Sequence, residues 1–163
     1  MKKAFDNISG TLFIPDENTL EKGIKASRES ERKRIILPLH RRQDAKVQRM
    51  LNFLQPETYI RPHMHPRNQA VESIVVQKGA IRFFIFDNQG SIVEDRKLDS
   101  ENAFLADIEP LTWHSFVVLE KDTILFESKM GPYDADLDKI FAEWSPEEGT
   151  DEAHSWIETL RNQ

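Results

Sequence analysis

Between Ile35 and about Met130 the chain is interrupted by turn-forming residues at roughly ten-residue intervals, at Pro56, Pro66, Gly79, Asn88-Gln89-Gly90 and Pro110. The stretches between these breaks are short and rich in Val, Ile, Phe and Leu, residue types that suit a pleated, half-buried surface. They leave no room for the helices that parallel strands need as crossovers. The spacing therefore predicts an all-β fold, an antiparallel sandwich or barrel. The strands expected are Val47–Gln55, Thr58–His65, Ser73–Gln77, Ala80–Asp87, Ser91–Leu98, Ala103–Ile108, His114–Leu119 and Thr123–Met130.

The flanks read differently. Residues 17–33 are polar and helix-favouring, with Leu20 and Ile24 to bury, and predict a short surface helix. Asp136–Trp144 is expected to form another. After Pro146, Ala153, Trp156, Ile157 and Leu160 fall at i, i+3, i+4 and i+7, a helical stripe that must be covered, most simply by the outside of the same barrel. With 163 residues there is material for one core. The expected division is an N-terminal helical or extended arm over 1–34, a barrel over 35–133 and a C-terminal helical tail over 134–163 packed on it.

The formal net charge of −6 argues against affinity that depends on neutralising nucleic-acid phosphates, and against anionic membrane surfaces. There are no cysteines, so disulfides, thiolate zinc sites and a Cys nucleophile are excluded, and any metal must be held by His and carboxylates. The start, Met1-Lys2-Lys3-Ala4-Phe5-Asp6-Asn7, is basic but is not followed by the apolar stretch of a secretory leader, and no apolar run is long enough for a membrane span. A cytoplasmic location is expected.

Three of the five histidines are informative. In a strand, side chains at i and i+2 share a face, so His63-Met64-His65 sets two imidazoles side by side, and the same parity adds Tyr59 and Arg61. A face of Tyr, Arg, His and His is not a packing face. Buried imidazoles need hydrogen-bond partners or a cation, and neutral imidazole is a good ligand for Zn, Fe, Ni or Cu. Glu72 opens the next strand, Gly79 follows it, and His114 stands behind the turn Pro110-Leu111-Thr112-Trp113. Three nitrogens and one carboxylate are a usual set for a divalent metal that keeps open positions.

The order His-x-His, Glu, Gly, then a Pro-initiated turn and His resembles the two metal motifs of the cupin superfamily, whose fold is a double-sheet jelly-roll barrel. The sequence is more specifically similar to the WbuC-type cupin-fold metalloproteins, a bacterial family often associated with polysaccharide (O-antigen) gene clusters. The residues carrying that likeness are Val47-Gln48-Arg49-Met50-Leu51-Asn52, Tyr59-Ile60-Arg61-Pro62-His63-Met64-His65-Pro66, Thr112-Trp113-His114, Gly131-Pro132-Tyr133-Asp134 and Phe141-Ala142-Glu143-Trp144-Ser145-Pro146-Glu147-Glu148. By that resemblance His63, His65, Glu72 and His114 are the ligands of one divalent metal ion per chain, Fe, Zn, Mn or Ni. Two features depart from the general cupin pattern. Pro66 to Val71 makes a longer link between His65 and Glu72, and Leu111 stands where the second motif usually has Gly.

Other polar residues are candidates for binding a ligand beside the metal. Arg49 and Arg61 lie on strands expected to face inward, where a guanidinium needs an anionic partner, either a ligand carboxylate or phosphate, or an internal acid among Glu72, Glu127 and Asp107. Tyr59 is a candidate hydrogen-bond donor. Glu127 and Lys129 share a strand face with Leu125, and with Tyr133 they are expected at the barrel mouth, where a rim salt bridge is the plainer alternative. His40 is expected to be a packing residue and His154 a surface one.

Three functions fit. The first is a small metal-dependent enzyme acting on a small anionic or sugar-derived ligand, tied through the resemblance to polysaccharide biosynthesis. The second is a non-catalytic small-molecule or sugar-binding module, and the third a metal-free structural barrel. No nucleophile stands out, so the reaction class is open. A homodimer through sheet edges is expected.

Overall fold

The structure, a computed structural model, describes residues 4–163; the basic pair Lys2-Lys3 lies outside the described residues. Asp16 caps the first helix by accepting from the Thr19 backbone N–H at 2.8 Å, which satisfies one of the donors a helix start leaves open. Helix α1 (Glu17–Glu29) stops at Ser30, short of the expected 33. Lys33, with φ 57°, then turns the chain into a strand the spacing did not predict, β1 (Arg34–Pro38).

The remaining strands are β2 (Val47–Leu54), β3 (His63–Met64), β4 (Glu72–Lys78), β5 (Ala80–Phe86), β6 (Ile92–Asp99), β7 (Leu105–Ile108), β8 (Trp113–Val118), β9 (Thr123–Met130) and β10 (Ile140–Phe141). They form two five-stranded antiparallel sheets, ordered β1-β2-β9-β4-β7 and β10-β3-β8-β5-β6. With the edge additions β1 and β10 set aside, the orders β2-β9-β4-β7 and β3-β8-β5-β6 are those of an eight-strand jelly roll, the cupin-type barrel. The tight β4–β5 connection depends on Gly79, at φ +79°, where a Cβ would come within 2.3 Å of Thr123 Oγ1.

The barrel interior has two tiers. Leu54, Ile74, Val76, Ile81, Phe83, Phe116, Val118 and Leu125 fill one end with apolar side chains from both sheets. At the other end the same strands carry polar groups: Glu72 opens β4, His114 is the second residue of β8, and Glu127 and Lys129 lie in the second half of β9. The register Glu72↔Lys129, Ile74↔Glu127 and Val76↔Leu125 keeps the two tiers aligned.

The outer faces are covered too, which explains the nearly continuous apolar runs. Phe53, Leu51 and Ile124 on the first sheet pack under Leu20 and Ile24 of α1. Phe84, Phe86 and Val117 on the second pack under Ala153, Ile157 and Leu160 of helix α2 (Asp151–Arg161), so the apolar stripe of that helix is buried within the chain. No helix of the structure is long and apolar enough to cross a membrane.

Between the barrel and α2 the chain departs from expectation. Asp136–Trp144 does not form a helix. A single turn, closed by Leu137 and Asp138 N–H donating to Asp134 O, leads into β10, which pairs Ile140 with Met64 and Phe141 with His63. Joining an open sheet edge satisfies more backbone groups here than an isolated short helix could.

Candidate metal centre

His63 opens β3, His65 follows its last residue Met64, Glu72 begins β4 and His114 lies on β8 directly opposite His63. All four side chains are buried, and one ligand atom from each can be chosen so that all lie within 4.8 Å of one another. The three rings stand 4.5, 5.3 and 5.7 Å apart between centroids, and Phe83 lies flat against His114. Bonds of about 2.0–2.2 Å to a shared ion place ligand atoms about 3–4.4 Å apart, so contraction by a few tenths of an ångström completes such a site.

The tautomers follow from the partners. Nδ1 of His63 meets Arg61 O at 2.8 Å, Nδ1 of His65 meets Asp138 O at 2.5 Å, and Nδ1 of His114 meets Thr112 O at 2.8 Å. A carbonyl oxygen only accepts, so each Nδ1 carries the proton and donates it, which fixes the ring and turns Nε2 toward the cluster. Nε2 of His65 and of His114 stand 3.0 and 3.1 Å from the same oxygen, Oε2 of Glu72. Two nitrogen lone pairs and a carboxylate oxygen cannot share that space without positive charge between them. Either both rings take a second proton or a cation sits there. Burial holds His63 well below its ordinary pKa, helped by the charge of Lys139, so that ring is neutral and available as a ligand. Burial alone would raise Glu72, but its contacts with His114 and His65 outweigh it and hold the carboxyl well below its ordinary value. The donor set and its backbone supports fit a divalent ion.

The longer link after His65 does not displace Glu72 from the cluster. Leu111 holds φ 62°, the left-handed conformation that a glycine would adopt freely, and its N–H donates to His65 O at 3.0 Å, so the turn before His114 keeps its course.

The other candidates are placed unevenly. Glu127 and Lys129 are at the centre. Asn52 donates to Glu127 at 2.9 Å, and burial together with the neighbouring Glu72 raises the Glu127 carboxyl to about 7. Lys129 is buried and donates to Asp138 at 2.7 Å. Tyr133 is exposed at the rim, its ring 5.9 Å from the Lys129 ammonium.

Three expectations are corrected. Arg49 is exposed and does not face inward: it shares the outer face of β2 with Leu51 and Phe53, which looked like core positions because α1 buries them, while Asn52 and Leu54 point into the barrel. Tyr59 and Arg61 do not share a face with the histidines, because only His63–Met64 pairs as strand and Pro62 and Pro66 lack the N–H to extend the ladder. Tyr59 packs on Phe84 and α2 and donates to Pro146 O at 2.8 Å, and burial pushes its phenol up to about 12. Arg61 donates to Ser145 Oγ and Ala142 O, with Glu147 at 4.0 Å; it meets none of Glu72, Glu127 and Asp107. His40 is buried, its Nδ1 3.0 Å from the Arg49 carbonyl and 3.2 Å from the Arg49 N, while His154 is exposed on α2.

Asp138, Lys139 and Asn52 were missed. Asp138 and Lys139 lie in the stretch expected to be helical, and Asp138 supports His65 through its main-chain carbonyl, which no residue pattern reveals.

Comparison with known proteins adds the following. Oxalate decarboxylase from Bacillus subtilis at pH 4.6 is similar over 60% of this chain and 24% of its own, with a TM-score of 0.48 and 16% identity. The Lactobacillus farciminis oxalate decarboxylase formate complex is similar over 59% of this chain and 26% of its own, with a TM-score of 0.47 and 14% identity. Procruciferin, an 11S globulin from Brassica napus, is similar over 53% and 21%, with a TM-score of 0.45 and 13% identity. The chain thus spans about a quarter of the length of these proteins. No curated protein matches its sequence. A family model described as a domain of unknown function, DUF6016, matches residues 15–98, which is more than half of the chain. The chain therefore belongs to the DUF6016 family.

Proposed function

We propose that this protein is a metal-binding cupin that holds one divalent ion on His63, His65, His114 and Glu72 and presents it to a small anionic or sugar-derived ligand. The observation that carries this reading is the facing of two imidazole Nε2 atoms and one carboxylate oxygen at 3.0 and 3.1 Å, with every Nδ1 already committed to a carbonyl. A bound ion would supply Lewis-acid chemistry, or redox chemistry if it is iron. The chain's own residues do the rest. The three carbonyls orient the rings, Phe83 and the apolar tier behind it shut out water, and Glu127, raised to about 7, is placed to hold or release a proton beside Glu72. Acting as a small metal-dependent enzyme is the reading we favour.

The likeness to WbuC-type proteins supports a role in polysaccharide biosynthesis; of its last two segments, Gly131–Asp134 follows β9, and Phe141–Glu148 runs from the edge strand β10 to the Trp144 packing on Phe86 and Trp156. A non-catalytic binding module is the second reading, favoured by β10 and Asp138, which lie against the histidines. The exposed edge strand β7, with Leu105 and neighbouring Phe104, supports a homodimer.

The test is a panel of small carboxylates, phosphorylated compounds and nucleotide sugars, scored by calorimetry and by turnover on wild type and on the His63→Ala/His65→Ala double variant. Binding lost with the two histidines is expected; turnover supports the enzyme, and saturable binding without it the module. Ligand binding indifferent to both substitutions overturns the reading.

A further inference from the structure

Lys139 has no ion-pair or side-chain hydrogen-bond partner among the described residues, yet it lies in the segment folded against the cluster. Its chain neighbour Asp138 gives a carbonyl to His65, and the next residue, Ile140, pairs with Met64. Its charge acts on His63, and it feels Glu72, Glu127 and Asp138 as attractive and Lys129 as repulsive. A partly buried ammonium without a partner is costly unless something else supplies the negative charge.

The acids nearby are already engaged. Asp138 is held by Lys129 at 2.7 Å, Glu72 faces His65 and His114, and Glu127 accepts from Asn52 with Lys129 at 3.9 Å. With a divalent ion on the histidines, Glu72 offsets only half of its charge. The centre then carries surplus positive charge on two neighbouring groups, the ion and Lys139. Neither Arg49 nor Arg61 reaches it, and Arg67 gives its terminal nitrogens to Met130 O and Pro132 O, so among these three arginines none offers a free guanidinium fork to a ligand at the centre. A carboxylate has two oxygens, one to meet the ion and one to meet the ammonium beside it, and it supplies negative charge that the two groups lack.

We infer that Lys139 is the ligand-recognition residue of this centre and that the ligand it selects is a small carboxylate, bound to the metal ion and to the Lys139 ammonium together. This rests on the metal reading above and deepens it. Lys139 replaces the two arginines as the group that meets the ligand's charge, and β10, which carries it into place, becomes part of the binding site.

The experiment uses the full chain loaded with Co²⁺, whose visible absorption reports changes at the ion, titrated with acetate and, separately, with neutral imidazole. Wild type, Lys139→Met and Lys139→Arg are compared, with melting temperature confirming that each variant is folded. The expected result is acetate affinity about tenfold or more weaker in Lys139→Met, largely kept in Lys139→Arg, with imidazole affinity the same within about twofold in all three. Equal acetate affinity in wild type and Lys139→Met overturns the role of Lys139 while leaving the metal site standing. Failure of wild type to take up Co²⁺ with an altered spectrum overturns the metal site, and this inference with it.

Discussion

Nε2 of His65 lies 3.0 Å from Oε2 of Glu72, although the two residues are separated by the whole Pro66–Val71 link. The contact ties the residue that follows β3 of one sheet to β4 of the other across the barrel interior. It makes the polar tier a cross-link between sheets, and it leads to predictions both inside the centre and around it.

The Lys129–Asp138 pair supports the centre from behind. Asp138 is almost fully buried and its carbonyl orients His65. Asp138→Asn leaves the buried Lys129 ammonium with Glu127 alone, at 3.9 Å, and is expected to cost about 1–3 kcal/mol in urea unfolding. Lys129→Met combined with Asp138→Leu is expected to recover most of that loss.

Leu111 is more than half exposed and sits at φ 62°. A side chain in that conformation costs about 1–2 kcal/mol, against about 0.4–1 kcal/mol for the extra freedom glycine brings to the unfolded chain. Leu111→Gly is therefore expected to raise stability slightly and Leu111→Val to lower it, both measured by thermal unfolding.

Gly23 lets α1 lie on the ring of Phe53. A Cβ there would come within 2.3 Å of it, and Phe53 is fully buried. Gly23→Ala gains about 1 kcal/mol in helix propensity but overpacks this contact, at about 1–3 kcal/mol. A net loss is expected, and it should shrink in a Phe53→Leu background, where the ring is gone.

Glu148 links α1's end and β1 to the tail, meeting Arg32 at 2.9 Å and Arg34 at 2.6 Å. Burial would raise its carboxyl, but the hydrogen bond from Arg32 and the charges of Arg34 and Arg32 prevail and hold it below its ordinary value. A carboxyl depressed in the folded state binds fewer protons there than in the unfolded chain. Its stabilisation is therefore present above the unfolded pKa of about 4.3 and lost as pH falls through the folded value. The melting-temperature gap between wild type and Glu148→Gln should be largest near neutrality, begin to narrow as pH falls past the unfolded value, and close only once pH has passed the lowered folded one.

The barrel was legible because turn spacing and β-rich runs survive in a single sequence, and His63, His65, Glu72 and His114 because strand parity and motif order are local signals. What failed has one cause. Parity identifies the inner face only when the outer face is wet, and here α1 and α2 bury the outer face as well. The company of Leu51 and Phe53 points Arg49 inward, but those two pack under α1. Tyr59 was assigned inward by extending a strand that Pro62 cuts short. Asp138 and Lys139 reach the centre only because β10 adds to a sheet edge, a pairing between positions more than seventy residues apart.

The most direct test of the metal centre is elemental analysis of the full chain, purified without a polyhistidine tag and without chelator, read together with its thermal unfolding in the presence of Zn²⁺, Fe²⁺, Ni²⁺ and Mn²⁺. The account predicts close to one divalent ion per chain, lost in His63→Ala/His65→Ala, and a higher melting temperature for the metal-loaded protein. Protein that carries no stoichiometric metal and gains no thermal stability from any of the four ions would contradict it.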